Sequence, residues 1–123
     1  MQLTANFSLS EFACKDGRQV PAEYLDNVKT LAANLQALRD AVGEPIHINS
    51  SYRPPDYNKK IGGEKNSQHL TASAADITIK SKSPKQVKGL IERLIKAGKM
   101  KNGGIGLYPG FVHYDIRSAV ARW

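Results

Sequence analysis

The sequence predicts a small α+β domain, with helices packed on one face of a mostly antiparallel sheet. Two segments carry apolar residues at helical spacing, and several short runs show the alternation of strands. The dipeptide Pro109-Gly110 is a strong turn signal between the last two of these runs, and it predicts a closing hairpin. With 123 residues, the chain fits a single domain over residues 1–123 with one core.

The first helix is predicted over residues 21–42. Pro21 suits the first turn, and Gly43 is placed to end the helix. Apolar residues recur through the segment at helical spacing: Leu25, Val28, Leu31, Ala32, Leu35, Leu38 and Val42. A second helix is predicted over Pro84–Ala97, with Ser83 as its cap.

Strands are predicted at Pro45–Ser50, Ala74–Lys80 and Phe111–Arg117, and a shorter one at residues 103–108. The last two form the hairpin. Because the helices pack on one face of the sheet, the other face stays partly open. The intervening segment Arg53–Gln68 is polar and contains prolines and glycines, which predicts a long loop. Long loops inside compact domains are usually functional or disordered.

The composition limits the possible partners. Apolar residues make up 41% of the chain, which excludes a disordered protein, and the net charge is +7. A basic chain suits a polyanion such as nucleic acid, a membrane surface or an anionic cell-wall polymer, or the lysines only keep the protein soluble. Because the lysines are scattered and not packed into a run, we expect no nucleic-acid partner. We also expect a monomer.

The single cysteine, Cys14, cannot form an internal disulfide and is expected to be a small buried apolar residue. No stretch is apolar and long enough to insert stably in a membrane. The N-terminal residues lack the basic and apolar regions of a secretion signal, so we expect the chain to be cytoplasmic as synthesised.

Strand alternation brings out a set of polar side chains. Along Ala74–Lys80, Asp76 lies opposite the apolar face, and along Phe111–Arg117 the residues His113 and Asp115 share the polar face. These groups therefore project from the same kind of sheet surface.

The chain has three histidines, of which His69 lies in the loop just before Asp76. Two imidazoles and one carboxylate are a common ligand set for catalytic zinc, with the fourth position left to water. A solvated histidine is the more frequent explanation for one such residue. His47 alternates with isoleucines and is expected to be structural or exposed.

At these residues the sequence resembles the M15 family of zinc peptidases, which includes D-Ala-D-Ala carboxypeptidases and peptidoglycan endopeptidases. It is most similar to the short single-domain branch found in phages. The resemblance covers nearly the whole chain, and the stretches that carry it are "INSSYRPPDYN", "SQH", "ADI" and "NGGIGLYPGFVHYDIR". It implies the fold of the hedgehog and DD-peptidase domains, with a zinc site on the open face.

The resemblance also implies roles for single residues. One Zn²⁺ would be held by His69, Asp76 and His113. Arg53 would steady the substrate or a developing oxyanion, since its forked donors match carboxylates; pairing with Asp56 at the surface is its simpler role. Ser67 would lie at the edge of the site and contact substrate.

Tyr108 is a further substrate-binding candidate, although an aromatic residue in a hairpin usually serves packing. Two positions depart from the family pattern: Ala72 replaces a frequent glycine, and Gly110 stands where many members carry an acidic residue. Asp115 is the nearest substitute as general base. It can equally orient a ligand imidazole or bind Arg117.

The sequence thus predicts a zinc metallopeptidase that hydrolyses peptidoglycan stem peptides, as an endolysin or a DD-carboxypeptidase-like enzyme. A phage or prophage context, with action on the wall after release from the cytoplasm, fits the missing signal. The alternative is a zinc-containing module that binds the cell wall or serves in a phage particle without catalysis. The glycine at position 110 is the observation that favours this alternative.

Overall fold

The computed structural model describes residues 1–123. Its main element is a five-stranded sheet. The strands are β1 (His47–Ser50), β2 (Ala74–Thr78), β3 (Gly104–Leu107), β4 (Val112–Asp115) and β5 (Ala121–Arg122). Their spatial order is β1-β2-β4-β3-β5, and every neighbouring pair is antiparallel except β3 with β5. The predicted α+β class with a mostly antiparallel sheet is confirmed.

Three helices complete the fold: α1 (Leu25–Val42), α2 (Pro55–Lys60) and α3 (Pro84–Lys96). Short 3-10 turns occur at Leu9–Phe12, Ala22–Tyr24 and Gln68–Thr71. The two long helices were predicted, but the first turn after Pro21 is a 3-10 turn, so α1 begins later than expected. None of the helices combines the length and apolar character needed to cross a membrane.

The ends of the long helices follow their local sequence signals. Gly43 adopts φ 69°, in the left-handed region, and ends α1. Ser83 caps α3 by accepting a hydrogen bond from the backbone N–H of Gln86, whose side chain accepts one from the N–H of Ser83.

The prediction of a long loop over Arg53–Gln68 is wrong in part. Pro55 lies in the first turn of α2, where a proline costs no helical hydrogen bond, so it begins a helix instead of preventing one. Asn58 on this helix is buried, and its side-chain amide donates to the backbone oxygen of Glu64 at 2.7 Å. The helix thereby supports the following loop.

One sheet face carries the core. Ala75 on β2, Tyr114 on β4 and Ile105 on β3 form a cross-strand row, and all three are fully buried. The same apolar cluster includes the buried residues of α1 and α3, so these helices cover this face. Cys14 is buried in the cluster as a free thiol.

The opposite face carries the polar groups. Its cross-strand rows are Asp76, His113 and Gly106, and beside them Ala74, Asp115 and Gly104. The strand alternation predicted from the sequence therefore holds on both β2 and β4.

Candidate metal centre

His69, Asp76 and His113 come together on the polar face of the sheet. Each offers one ligand atom, and these atoms all lie within 4.8 Å of one another. Asp76 and His113 are direct cross-strand partners of β2 and β4, and His69 lies in the 3-10 turn that precedes β2. All three side chains are buried, with relative exposures of 3%, 5% and 7% in sequence order.

A tight turn carries His69 back over the sheet. Ala72 ends the 3-10 turn with φ 57°, and it is the one residue other than glycine with positive φ. An alanine rarely adopts this left-handed conformation, which explains why a glycine would suit the position. His69 Nε2 thereby lies 3.3 Å from Asp76 Oδ1, and His113 Nδ1 lies 3.1 Å from the same oxygen.

The outer partners of the two imidazoles decide which nitrogen is available to a metal. His69 Nδ1 lies 2.7 Å from the backbone oxygen of Ser51, to which it donates, so Nε2 keeps its lone pair. His113 Nε2 donates to Asp115 Oδ2 at 2.7 Å, which leaves its Nδ1 free. Both free nitrogens are those beside Asp76.

Asp115 is fully buried and surrounded by donors. Its oxygens accept hydrogen bonds from the backbone N–H groups of Gly104 and Arg117 and from the Arg117 guanidinium, as well as from His113. It does not line the cavity above the cluster. Of the three roles that the sequence leaves open for Asp115, these contacts fit orientation of His113 and binding of Arg117 better than proton transfer.

The surroundings of Asp76 keep its carboxyl group ionised, as a metal ligand must be. Burial by itself raises the pKa of Asp76, but the adjacent imidazoles of His113 and His69 outweigh it and hold the pKa well below its usual range. Burial lowers the pKa of His113, yet the adjacent carboxylates of Asp115 and Asp76 raise it overall. The two carboxylates that favour a proton on His113 favour a metal ion in its place just as well.

Arg53 lies beside the cluster and not at the outer surface. Its Nη2 pairs with Asp76 Oδ2 at 3.2 Å, and its Nε donates to the Ser50 hydroxyl at 3.1 Å. The simpler pairing with Asp56 does not form, because Asp56 binds Arg18 at 3.0 Å. Arg53 remains part of the cavity wall.

A cavity of about 800 Å³ opens above the cluster. One wall is the loop of residues 61–68, which includes Ser67; its hydroxyl also accepts from the backbone N–H of His69 at 3.1 Å. The other wall is aromatic and consists of Tyr108, Phe111 and Trp123. A cavity of this size is typical of small-molecule and peptide sites.

The cavity residues that were not predicted as site residues from the sequence include Glu64, Phe111, Arg117 and Trp123. Glu64 is the one carboxylate of the cavity besides Asp76. Trp123 reaches the site because β5 pairs with β3, and a strand of two residues has no periodicity to detect. His47 is exposed and outside this cavity, as expected.

The donor set fits one zinc ion. Two neutral imidazole nitrogens and one carboxylate oxygen, each imidazole oriented by a hydrogen bond through its other nitrogen, are the usual protein ligands of a catalytic zinc. Three protein donors leave a position for water or substrate, and the cavity gives access to it.

Comparison with known proteins agrees with this geometry. The family model described as Peptidase M15 matches residues 5–115. A segment of 44 residues is 43% identical to the zinc D-Ala-D-Ala carboxypeptidase of Streptomyces albus G. This alignment covers 35% of the chain and 17% of the relative, so the chain corresponds to a small part of that protein.

Proposed function

The chain belongs to the peptidase M15 family, and we propose that it is a zinc-dependent peptidase that hydrolyses peptide bonds in the stem peptides of peptidoglycan. The observation that carries the proposal is the buried His69–Asp76–His113 cluster at the floor of an open cavity. The relative from Streptomyces albus G, a zinc D-Ala-D-Ala carboxypeptidase, supports a cell-wall substrate.

Zinc bound here would supply a Lewis acid that polarises a carbonyl and lowers the pKa of a water molecule to about 7. The chain's own residues hold and orient the reactants. His69, Asp76 and His113 would bind the metal, while Ser51 and Asp115 hold the two imidazoles in the required tautomers.

Substrate binding falls to residues of the cavity wall. Arg53 is held by Asp76 and Ser50, and it keeps its guanidinium at the cavity, where it can bind a carboxylate or an oxyanion of the substrate. Ser67 and Tyr108 line the same cavity and offer hydroxyl groups. The net charge of +7 favours association with the anionic wall polymer.

A proton acceptor must lie within reach of the attacking water. Asp115 has no access to the cavity, and Gly110 has no side chain to contribute. Glu64 lies in the loop wall and is exposed, with no hydrogen bond or ion pair to its carboxylate from the rest of the chain. We therefore assign proton transfer to Glu64.

The biological setting is a finer proposal. We infer that the chain acts as an endolysin-type enzyme of a phage or prophage, on the basis of its resemblance to the short phage-like branch of the family. Lysis of cells from within, with the gene expressed alone and beside a pore-forming partner, tests this setting separately from the chemistry.

The function is tested by digestion of purified peptidoglycan, with mass spectrometry of the released peptides. Wild-type protein that contains about one zinc per chain is expected to release peptides, and chelation to abolish the release. His69→Ala, Asp76→Ala and His113→Ala should lose both zinc and activity. His47→Ala is the matched control, because His47 is exposed and outside the cavity.

Two results would contradict the proposal. Release of peptides that survives chelation and the His113→Ala substitution would exclude the zinc mechanism. A zinc-loaded wild-type protein that binds peptidoglycan and releases neither peptide nor free D-alanine would identify a binding module instead.

A further inference from the structure

Trp123 lies against the metal cluster and contacts several of its supporting groups. The indole and the His113 imidazole have ring centroids 5.0 Å apart at an interplanar angle of 48°. The Arg117 guanidinium, which binds Asp115, lies 5.0 Å from the indole centroid, within the range of a cation–π contact. One aromatic residue thus packs on a metal ligand and on the arginine behind it.

The backbone fixes this tryptophan to the sheet. Its N–H donates to Ile105 at 3.0 Å, and its carbonyl accepts from the N–H of Leu107 at 2.8 Å. Between these residues lies Gly106, the cross-strand neighbour of His113. A Cβ at Gly106 would overlap the indole where it lies, so an added side chain would displace the ring from His113.

The indole also orients a second cavity residue. Trp123 Nε1 donates to the hydroxyl oxygen of Tyr108 at 2.7 Å. The Tyr108 ring stacks on Phe111, with centroids 4.6 Å apart and an interplanar angle of 13°. Because the hydroxyl accepts from Trp123 and donates to no group of the chain, its proton is available to a molecule in the cavity.

We propose that Trp123 is a positioning residue: it holds the His113 ring in place for the metal and turns the Tyr108 hydroxyl to donate a hydrogen bond to the substrate. The part that concerns substrate rests on the proposed peptidase function. The part that concerns His113 does not, and the two are tested by different measurements.

The first measurement uses the fluorescence of Trp123, which is the one tryptophan of the chain. Metal-free protein is titrated with Co²⁺, a coloured zinc substitute that quenches a nearby indole. We expect quenching that saturates at about one equivalent and is reversed by Zn²⁺. His113→Ala should abolish the saturable quenching. Full Co²⁺ binding, measured by its visible absorption, without quenching would overturn the placement of Trp123.

Gly106→Ala tests the space under the indole. The added methyl should displace the ring, so quenching at saturating Co²⁺ should fall and the fluorescence anisotropy decay should show a more mobile indole. Tyr108→Phe removes the hydrogen-bond acceptor and should increase mobility in the same way. If the mobility of the indole is unchanged in both variants, the hydrogen bond between Trp123 and Tyr108 does not hold the ring in place.

The second measurement is kcat/KM on a soluble stem peptide for Trp123→Phe, Tyr108→Phe and the double variant. At equal zinc content, kcat/KM should fall about tenfold in each single variant. In the double variant kcat/KM should fall no further than in the worse single variant, because both substitutions break the same hydrogen bond. Fully additive losses would overturn the linkage. Tyr24→Phe is the matched control, because Tyr24 packs on Tyr52 away from the cavity.

Failure of the peptidase function remains distinguishable from failure of this inference. If wild-type protein hydrolyses nothing but Co²⁺ quenches Trp123, the proposed function falls and the placement of Trp123 beside the metal ligands stands. If hydrolysis is normal and quenching is absent, the proposed function stands and the placement of Trp123 beside the metal ligands falls.

Discussion

The Nε2–H of His113 donates to the buried carboxylate of Asp115 at 2.7 Å, while Nδ1 of the same ring faces Asp76 at 3.1 Å. The imidazole is therefore held between two carboxylates that have different tasks. Asp76 is available to a metal at the cavity floor, and Asp115 fixes the ring from within the protein.

Asp115→Asn should weaken zinc binding about 10- to 100-fold, because a neutral amide supports the imidazole less strongly than a carboxylate does. Competition with a chromophoric chelator measures the affinity. If the variant binds zinc as tightly as the wild type, Asp115 does not orient His113. Activity at saturating zinc should largely return, which separates this role from proton transfer.

Glu64→Gln should show the opposite pattern. Zinc content should stay at the wild-type level, since Glu64 is not among the metal donors, while kcat should fall about 10²- to 10⁴-fold. Steady-state kinetics on a soluble stem peptide measure the loss. Glu23→Gln, an exposed carboxylate outside the cavity, is the control. A kcat equal to that of the control would remove Glu64 from the mechanism.

Gly104→Ala should destabilise the fold and loosen the site together. A Cβ at Gly104 would overlap the side chains of Asp115 and Arg117, and moving the buried Asp115 carboxylate costs about 1–3 kcal/mol. Gly89→Ala is a matched control in α3: its new methyl meets nothing within 4 Å, and the change should stabilise by about 0.5–1 kcal/mol. Urea unfolding measures the free energy of unfolding of both variants, which should fall for Gly104→Ala and rise for Gly89→Ala. Equal effects would mean that Gly104 has no special role.

Arg18 links Asp16 to Asp56 on the surface, and this link predicts a pH dependence. The hydrogen bond from Arg18 lowers the pKa of both carboxyl groups, so the stabilisation is present above their unfolded pKa of about 4 and is lost as the pH falls below it. The difference in Tm between the wild type and Arg18→Gln should therefore be largest near neutral pH and vanish in acid. A difference that grows on acidification would contradict this linkage.

Local signals explain why the two long helices could be predicted. The apolar spacing of α1, the glycine at 43 and the Ser83 cap act within a few residues, so the chain that surrounds them matters little. Period-two alternation likewise separates Asp76 and His113 from the core side of their strands.

The rest depends on contacts between distant parts of the chain. Alternation within each strand does not reveal that β2 pairs with β4. The grouping of His113 with His69 and Asp76 in one metal site was implied by the resemblance to the M15 family. The burial of Asp115 among four donor groups follows from the close approach of Gly104, which has no signature in the sequence. Trp123 depends in the same way on the pairing of β5 with β3.

The exact register of β2 against β4 has a kinetic consequence. Asp76 faces His113 across strands that are separated by 37 positions in the chain and by the whole of α3. A slip of one position would turn His113 toward the core and present Val112 or Tyr114 in its place. The zinc site is complete only when this long-range pairing has formed. During refolding we therefore expect zinc to bind late, after the helices have formed. Zinc binding would therefore select the chains in which β2 and β4 are paired in the correct register.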